Sequence, residues 1–125
     1  MRFGLLCLVL FSVLLSALSQ IVLKAGMTSA PIQSAIASSN TMRVIAAVSQ
    51  SWQVIAGLLC FGCSALVWLA VLSRVPLSTA YPFVALGIAI TTAAGLLLFN
   101  EPFSAIKIAG VSLIVFGVVA VSLAP

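Results

Sequence analysis

Apolar residues fill four long stretches of the chain: Phe3–Leu23, Trp52–Leu72, Leu77–Phe99 and Phe103–Leu123. A run of about 20 residues, rising about 1.5 Å each, covers the roughly 30 Å hydrocarbon core of a bilayer. Backbone N–H and C=O groups in lipid must be satisfied within their own segment, so each stretch predicts a helix rather than an open strand. Ser73–Pro76 and Asn100-Glu101-Pro102 are tight turns between the later stretches. Short turns make sequential helices antiparallel neighbours, so the last three are expected to form a compact bundle. Glu101 is expected beside the N-terminus of the last helix, where the macrodipole favours a carboxylate.

The first connection, Ala25–Ser51, breaks the pattern, being rich in Ser, Ala, Gln, Asn and Thr with Pro31 inside it. Two short helical pieces fit it, Ile32–Ser38 and Thr41–Gln50. Neither is long enough to span, and the segment reads as interfacial. The predicted fold class is therefore an all-α membrane protein, with four transmembrane helices and a long, partly helical first connection, in one domain over residues 1–125.

Composition sharpens this reading. Of 125 residues, 64% are hydrophobic and 5% charged, with mean hydropathy +1.40. A soluble domain carries about 25% charged residues, and this chain has no comparable polar surface. The net charge of +4 is spread singly over Arg2, Lys24, Arg43, Arg74 and Lys107 against Glu101. Cations near the ends of apolar runs act as headgroup anchors, and without a basic cluster no nucleic-acid partner is expected. Arg2 and Arg74 fall on one side of the membrane and Lys24, Arg43 and Lys107 on the other, so charge biases orientation only weakly. Arg2 ahead of an apolar run resembles a signal peptide, with Ala17-Leu18-Ser19 as a cleavage site, but Phe3–Leu23 is long enough to remain as the first span.

Candidate chemistry is sparse. Cys60-Phe61-Gly62-Cys63 has redox spacing but lies in an apolar run, where two small core residues are the simpler reading; Cys7 reads alike. With no histidine and no nucleophile–base pair, no metal site, cofactor or catalysis is expected. The informative polar groups are in the first helix, where Ser12, Ser16, Gln20 and Lys24 recur every four residues with Ser19 beside them. Residues four apart share one helix face, and a polar face in a membrane helix turns toward other helices or a wet cavity. Lys24 has two open readings, a cavity group or a cation that snorkels to the headgroups. In the second helix, Gln53, Gly57, Cys60, Ser64 and Trp68 form a mostly small face suited to close packing beside a pocket wall. In the third, Pro82 next to Tyr81 is expected to bend the axis, as a ligand feature or as a packing accommodation. Gly110 and Gly117 in the fourth mark a helix–helix seam, inside the protomer or between protomers. No span contains a carboxylate, which disfavours a cationic substrate; a lone buried cation favours a phosphate or carboxylate.

The stretch Leu66–Val119 carries a resemblance. Its arginine turn into Pro76, Ala80-Tyr81-Pro82, Glu101-Pro102, and Gly110 with Leu113-Ile114 and Gly117-Val118 resemble the drug/metabolite transporter superfamily, in its EamA-like and small multidrug resistance branches. Ser19-Gln20-Ile21-Val22-Leu23-Lys24 is similar to the first-helix pattern of that superfamily. Leu66-Val67-Trp68-Leu69 and Leu77-Ser78 bring the chain nearest to the small subunits of aminoarabinose-phosphoundecaprenol flippases. That resemblance implies a multi-pass protein of the bacterial inner membrane, working as a homodimer or as a heterodimer with a paralogous subunit. It implies a lipid-linked anionic substrate, a sugar on a polyprenyl phosphate. Lys24 becomes a candidate phosphate contact and Gln20 and Tyr81 candidate head-group contacts, with Ser16 and Trp68 completing the expected site. Small multidrug exporters carry a first-helix glutamate where this chain has Ser16, and a third-helix tryptophan near Val84. Two other function classes stay open: a small multidrug-type exporter of polar or drug-like molecules, and a non-transporting membrane subunit of a larger enzyme complex.

Overall fold

The computed structural model describes residues 2–125. Among them it holds six helices: α1 (Phe3–Met27), α2 (Ala30–Ala37), α3 (Thr41–Gln50), α4 (Trp52–Leu72), α5 (Leu77–Leu98) and α6 (Ala105–Leu123). Four of these are long and apolar enough to cross a bilayer: α1, α4, α5 and α6. The chain is an all-α membrane protein, as its apolar pattern predicts.

The helix ends follow local chemistry. α1 continues past Leu23 and places Lys24 in its last turn, where a cation complements the C-terminal dipole. Thr28 closes this end, its hydroxyl donating to the carbonyl of Lys24 at 2.8 Å. Pro31 sits in the first turn of α2, where a missing N–H does no harm. Asn40 caps α3, its side chain accepting from the Met42 and Arg43 amides. Ser104 caps α6 by accepting from Lys107 N–H, so that helix starts after Phe103 rather than at it. Glu101 therefore lies outside the first turn of α6, and the expected stabilisation by that helix's dipole does not apply. α5 runs through Pro82 without interruption.

The packing corrects one expectation. The last three helices do not form the bundle by themselves. α1 is the central element, packed along its length on α4 and also on α5, while α6 packs on α5. α4 and α5 touch little, although a short turn joins them. A turn sets direction and proximity only near itself: Val71, Val75, Ala80 and Phe83 cluster there with Val9 of α1 and Val118 of α6. Farther along, lipid solvates two leucine-rich faces as well as they solvate each other, so small and polar residues decide which helices meet. α1 and α4 have them. A Cβ on Gly57 would lie 2.7 Å from Leu23 Cγ, and one on Gly26 would lie 2.8 Å from Val54 Cγ2. Ser12 Oγ donates across the same antiparallel interface to the Ser64 carbonyl at 3.1 Å, both side chains buried. α2 and α3 pack on each other, α2 against α1 and α3 against α4. Ile32 anchors this layer by full burial, whereas Met42 and Ile45 of α3 are exposed.

α6 is the least buried span. A Cβ on Gly110 or Gly117 would meet nothing within 4 Å beyond its own helix, so the expected seam is not inside the protomer.

Candidate functional site

Because α4 and α5 diverge from their turn, they leave a half-open cavity of about 310 Å³ against α1. The polar face of α1 forms one wall through Ser12, Ser16 and Gln20. α4 contributes Ser64 and Trp68, and α5 contributes Tyr81 and Thr91. The remaining lining is apolar, including Val13, Phe61, Val84 and Ile88.

The hydroxyls divide into two groups. Ser12 is held by the bond to α4, Ser64 Oγ donates to the Phe61 carbonyl at 2.8 Å, and Thr91 Oγ1 donates to the Gly87 carbonyl at 2.9 Å. Ser19 is fully buried and donates to the Ser16 carbonyl, so it belongs to packing. Among the described residues, the side-chain polar atoms of Ser16, Gln20, Trp68 and Tyr81 are the ones in the wall not tied to a backbone carbonyl. Tyr81 is 63% exposed and Trp68 half-buried, giving the cavity an aromatic end with a phenolic O–H.

Four of the five residues singled out from the sequence, Ser16, Gln20, Trp68 and Tyr81, line this one cavity. Lys24 does not. It lines a smaller cavity of about 180 Å³ toward the end of α1, with Ile21, Ala94, Gly95, Phe99 and Glu101. The two cavities share Gln20 and Thr91. A polar track thus runs from Tyr81 and Trp68, past the serines, to Gln20 and Thr91, and on to Lys24 and Glu101. Sequence reasoning missed Thr91 and Glu101 as site residues. Thr91 was legible: Tyr81, Val84, Ile88 and Thr91 fall on one face at helical spacing. Glu101 was not, since its place depends on how the α5–α6 turn folds back. The expected pocket-side face of α4 is present, with Gly57 and Ser64 buried against α1 and Trp68 on the cavity. Cys60 is half-buried with Sγ 3.8 Å from the Leu15 carbonyl, while Cys63 and Cys7 are exposed free thiols.

The family model for the Small Multidrug Resistance protein matches residues 27–114. The chain belongs to this family. Its curated relatives include a protein of Klebsiella pneumoniae named "Probable 4-amino-4-deoxy-L-arabinose-phosphoundecaprenol flippase subunit ArnE". The two are 45% identical over 62 residues, 50% of this chain and 55% of the relative. The chain thus spans about half the length of that relative. The subunit of the same name from Serratia proteamaculans is 42% identical over 78 residues, 62% of this chain and 67% of the relative. A Pseudomonas fluorescens protein named as the ArnF subunit of the same flippase is 34% identical over 118 residues, 93% of this chain and 85% of the relative. No solved structure matches the chain. The resemblance drawn from Leu66–Val119 to the small multidrug resistance branch and to the flippase subunits is borne out. Within this Small Multidrug Resistance family member, the polar face of α1 lies wholly ahead of the matched residues, so the site combines a family framework with an α1 read on its own chemistry.

Proposed function

We propose that this protein is a subunit of a transporter that carries a lipid-linked sugar, of the polyprenyl phosphate type, between the leaflets of the bacterial inner membrane. The observation that carries this reading is the half-open cavity between α1, α4 and α5, with a polar wall on α1 and an apolar remainder. Small-ligand sites run from about 300 to 1,000 Å³, so about 310 Å³ admits a polar head group but no long polyprenyl tail. The gap between α4 and α5 lets such a tail stay in lipid while the head occupies the cavity. Ser16, Gln20 and Tyr81 offer donors and acceptors for a sugar, Trp68 an apolar face, and Lys24 a cation for the phosphate. The names of the ArnE and ArnF relatives support the same substrate class.

A half-open cavity needs a second wall. The exposed glycine face of α6, with Gly110 and Gly117 in open space, supports assembly with a second copy or a paralogous subunit. The test is reconstitution in vesicles with a fluorescent polyprenyl-phosphate sugar. Lys24→Met is expected to slow flipping at least tenfold; flipping at the wild-type rate removes Lys24 from the site. Family membership supports a second reading, export of small polar or drug-like molecules. Substrate-induced proton release by the purified protein favours that reading over the first.

A further inference from the structure

Only one residue of the 125 is acidic, and it lines the same cavity as the cation of the polar track. Asn100 adopts the left-handed region at φ 50, which asparagine tolerates better than most residues. That turn brings the Glu101 N–H back onto α5, where it donates to the Gly95 carbonyl at 3.0 Å. Pro102 disfavours the α region for the residue before it. The carboxylate lies over Gly95. A Cβ built there would collide with Oε2, and would lie 2.9 Å from Cδ and 3.3 Å from Oε1. Those three atoms are the nearest neighbours such a Cβ would have, so the missing side chain of Gly95 is what makes room for this carboxylate. Among the described residues, Lys24 is the cation that lines the same cavity.

Electrostatics give the arrangement a direction. Glu101 rests beside the C-terminal part of α5, where a helix dipole disfavours a negative charge. Lys24 is the cation that shares its cavity, and no ion pair within 4.0 Å joins the two, so any compensation acts across the cavity rather than by contact. The cavity holds one negative and one positive side chain, so its formal charge is zero. A phosphodiester carries a single negative charge, as the carboxylate does. Exchanging one for the other leaves the charge beside Lys24 unchanged and the dipole acting equally on both. We propose that Glu101 acts across the shared cavity as the counter-ion of Lys24, and that a phosphate-bearing ligand binds by displacing its carboxylate from the seat over Gly95. This rests on the reading of Lys24 as an anion contact. It makes Glu101 a built-in competitor that sets how strong an anion must be to enter.

The test is calorimetric titration of the purified protein in neutral detergent with decyl phosphate, and separately with inorganic phosphate, at about pH 5, where both probes are chiefly monoanions like a phosphodiester. Glu101→Gln, which removes the charge and keeps the shape, is expected to tighten decyl phosphate binding up to about fivefold, the scale of an exposed ion pair. Gly95→Ala is expected to act in the same direction, because its methyl group evicts the carboxylate without touching its charge. Lys24→Met is expected to weaken binding about tenfold or more, and Glu101→Gln added to Lys24→Met is expected to change nothing further. Tightening with inorganic phosphate as well also supports displacement and assigns the site to phosphate as such; tightening with decyl phosphate alone assigns it to a lipid head group. Weak binding by Lys24→Met together with no gain from Glu101→Gln overturns the counter-ion role while leaving Lys24 an anion contact. An equal gain from Glu101→Gln with and without Lys24 also overturns it, since the effect is then general electrostatics. Wild-type binding by Lys24→Met overturns the underlying reading and this one together.

Discussion

The α1–α4 interface predicts that one chemical change will have opposite signs at two glycines of α4. Gly57 faces Leu23 of α1, where an added Cβ would lie 2.7 Å from Cγ, 2.8 Å from Cδ2 and 3.2 Å from the backbone nitrogen. The leucine side chain can turn aside, but the nitrogen cannot move without shifting α1. Overpacking of this kind costs about 1–3 kcal/mol. Gly62 lies on the same helix with nothing within 4 Å. There alanine adds no contact and gains about 0.8–1 kcal/mol of helix propensity. Propensity cancels when the two variants are compared, so Gly57→Ala should be less stable than Gly62→Ala by about 1–3 kcal/mol, roughly a 5- to 150-fold difference in the folding equilibrium. Unfolding in mixed micelles with increasing dodecyl sulfate, followed by helical circular dichroism, measures the difference directly. If Gly57→Ala unfolds at the same or a higher detergent fraction than Gly62→Ala, the close approach of α1 and α4 is wrong, and with it the assignment of α1 as the central helix.

Other expectations follow from the same packing. Ser12→Ala removes the interhelical bond to the Ser64 carbonyl and should lower stability by about 0.6 kcal/mol, the average for such bonds in membrane proteins; a loss of several kcal/mol in the same unfolding assay would contradict its role as a single modest link. Tyr81→Ala should leave stability within about 0.5 kcal/mol because the side chain is exposed, yet slow head-group translocation in vesicles; unchanged translocation removes Tyr81 from the site. Gly110→Leu meets open space in the protomer, so unfolding of the protomer should be unaffected, while cross-linking in membranes should report weaker assembly. Persistence of full cross-linking assigns the α6 face to lipid.

Much of the architecture was legible in the residues because lipid imposes simple requirements. Segment length, absence of charge and internal satisfaction of the backbone identify α1, α4, α5 and α6 without reference to one another. Asn40 and Ser51 announce the starts of α3 and α4 by their capping chemistry. The four-residue rhythm of Ser12, Ser16 and Gln20 places one polar face on α1, and Ser16 and Gln20 do line the cavity. Which helices meet was less legible. Turn length suggested α4 on α5, but the glycine and serine pairs Gly26, Gly57, Ser12 and Ser64 brought α1 to α4 instead. That signal was in the sequence, yet its value depends on which residue stands opposite each small one.

Lys24 marks the boundary between the two kinds of knowledge. Its position at the end of a polar helical face follows from spacing alone, because helix geometry is periodic and local. The acid that shares its cavity does not. Glu101 is 77 residues away in the chain, and only the left-handed turn at Asn100 and the bare face of Gly95 bring its carboxylate into the same cavity. Covalent order determined the four spans and their polar faces, since the bilayer acts on each segment separately. The tertiary structure decided that α1 lies between α4 and α5, that their divergence opens the main cavity, and that the chain's one acid shares a second, smaller cavity with Lys24, because distances between segments arise from packing and not from spacing.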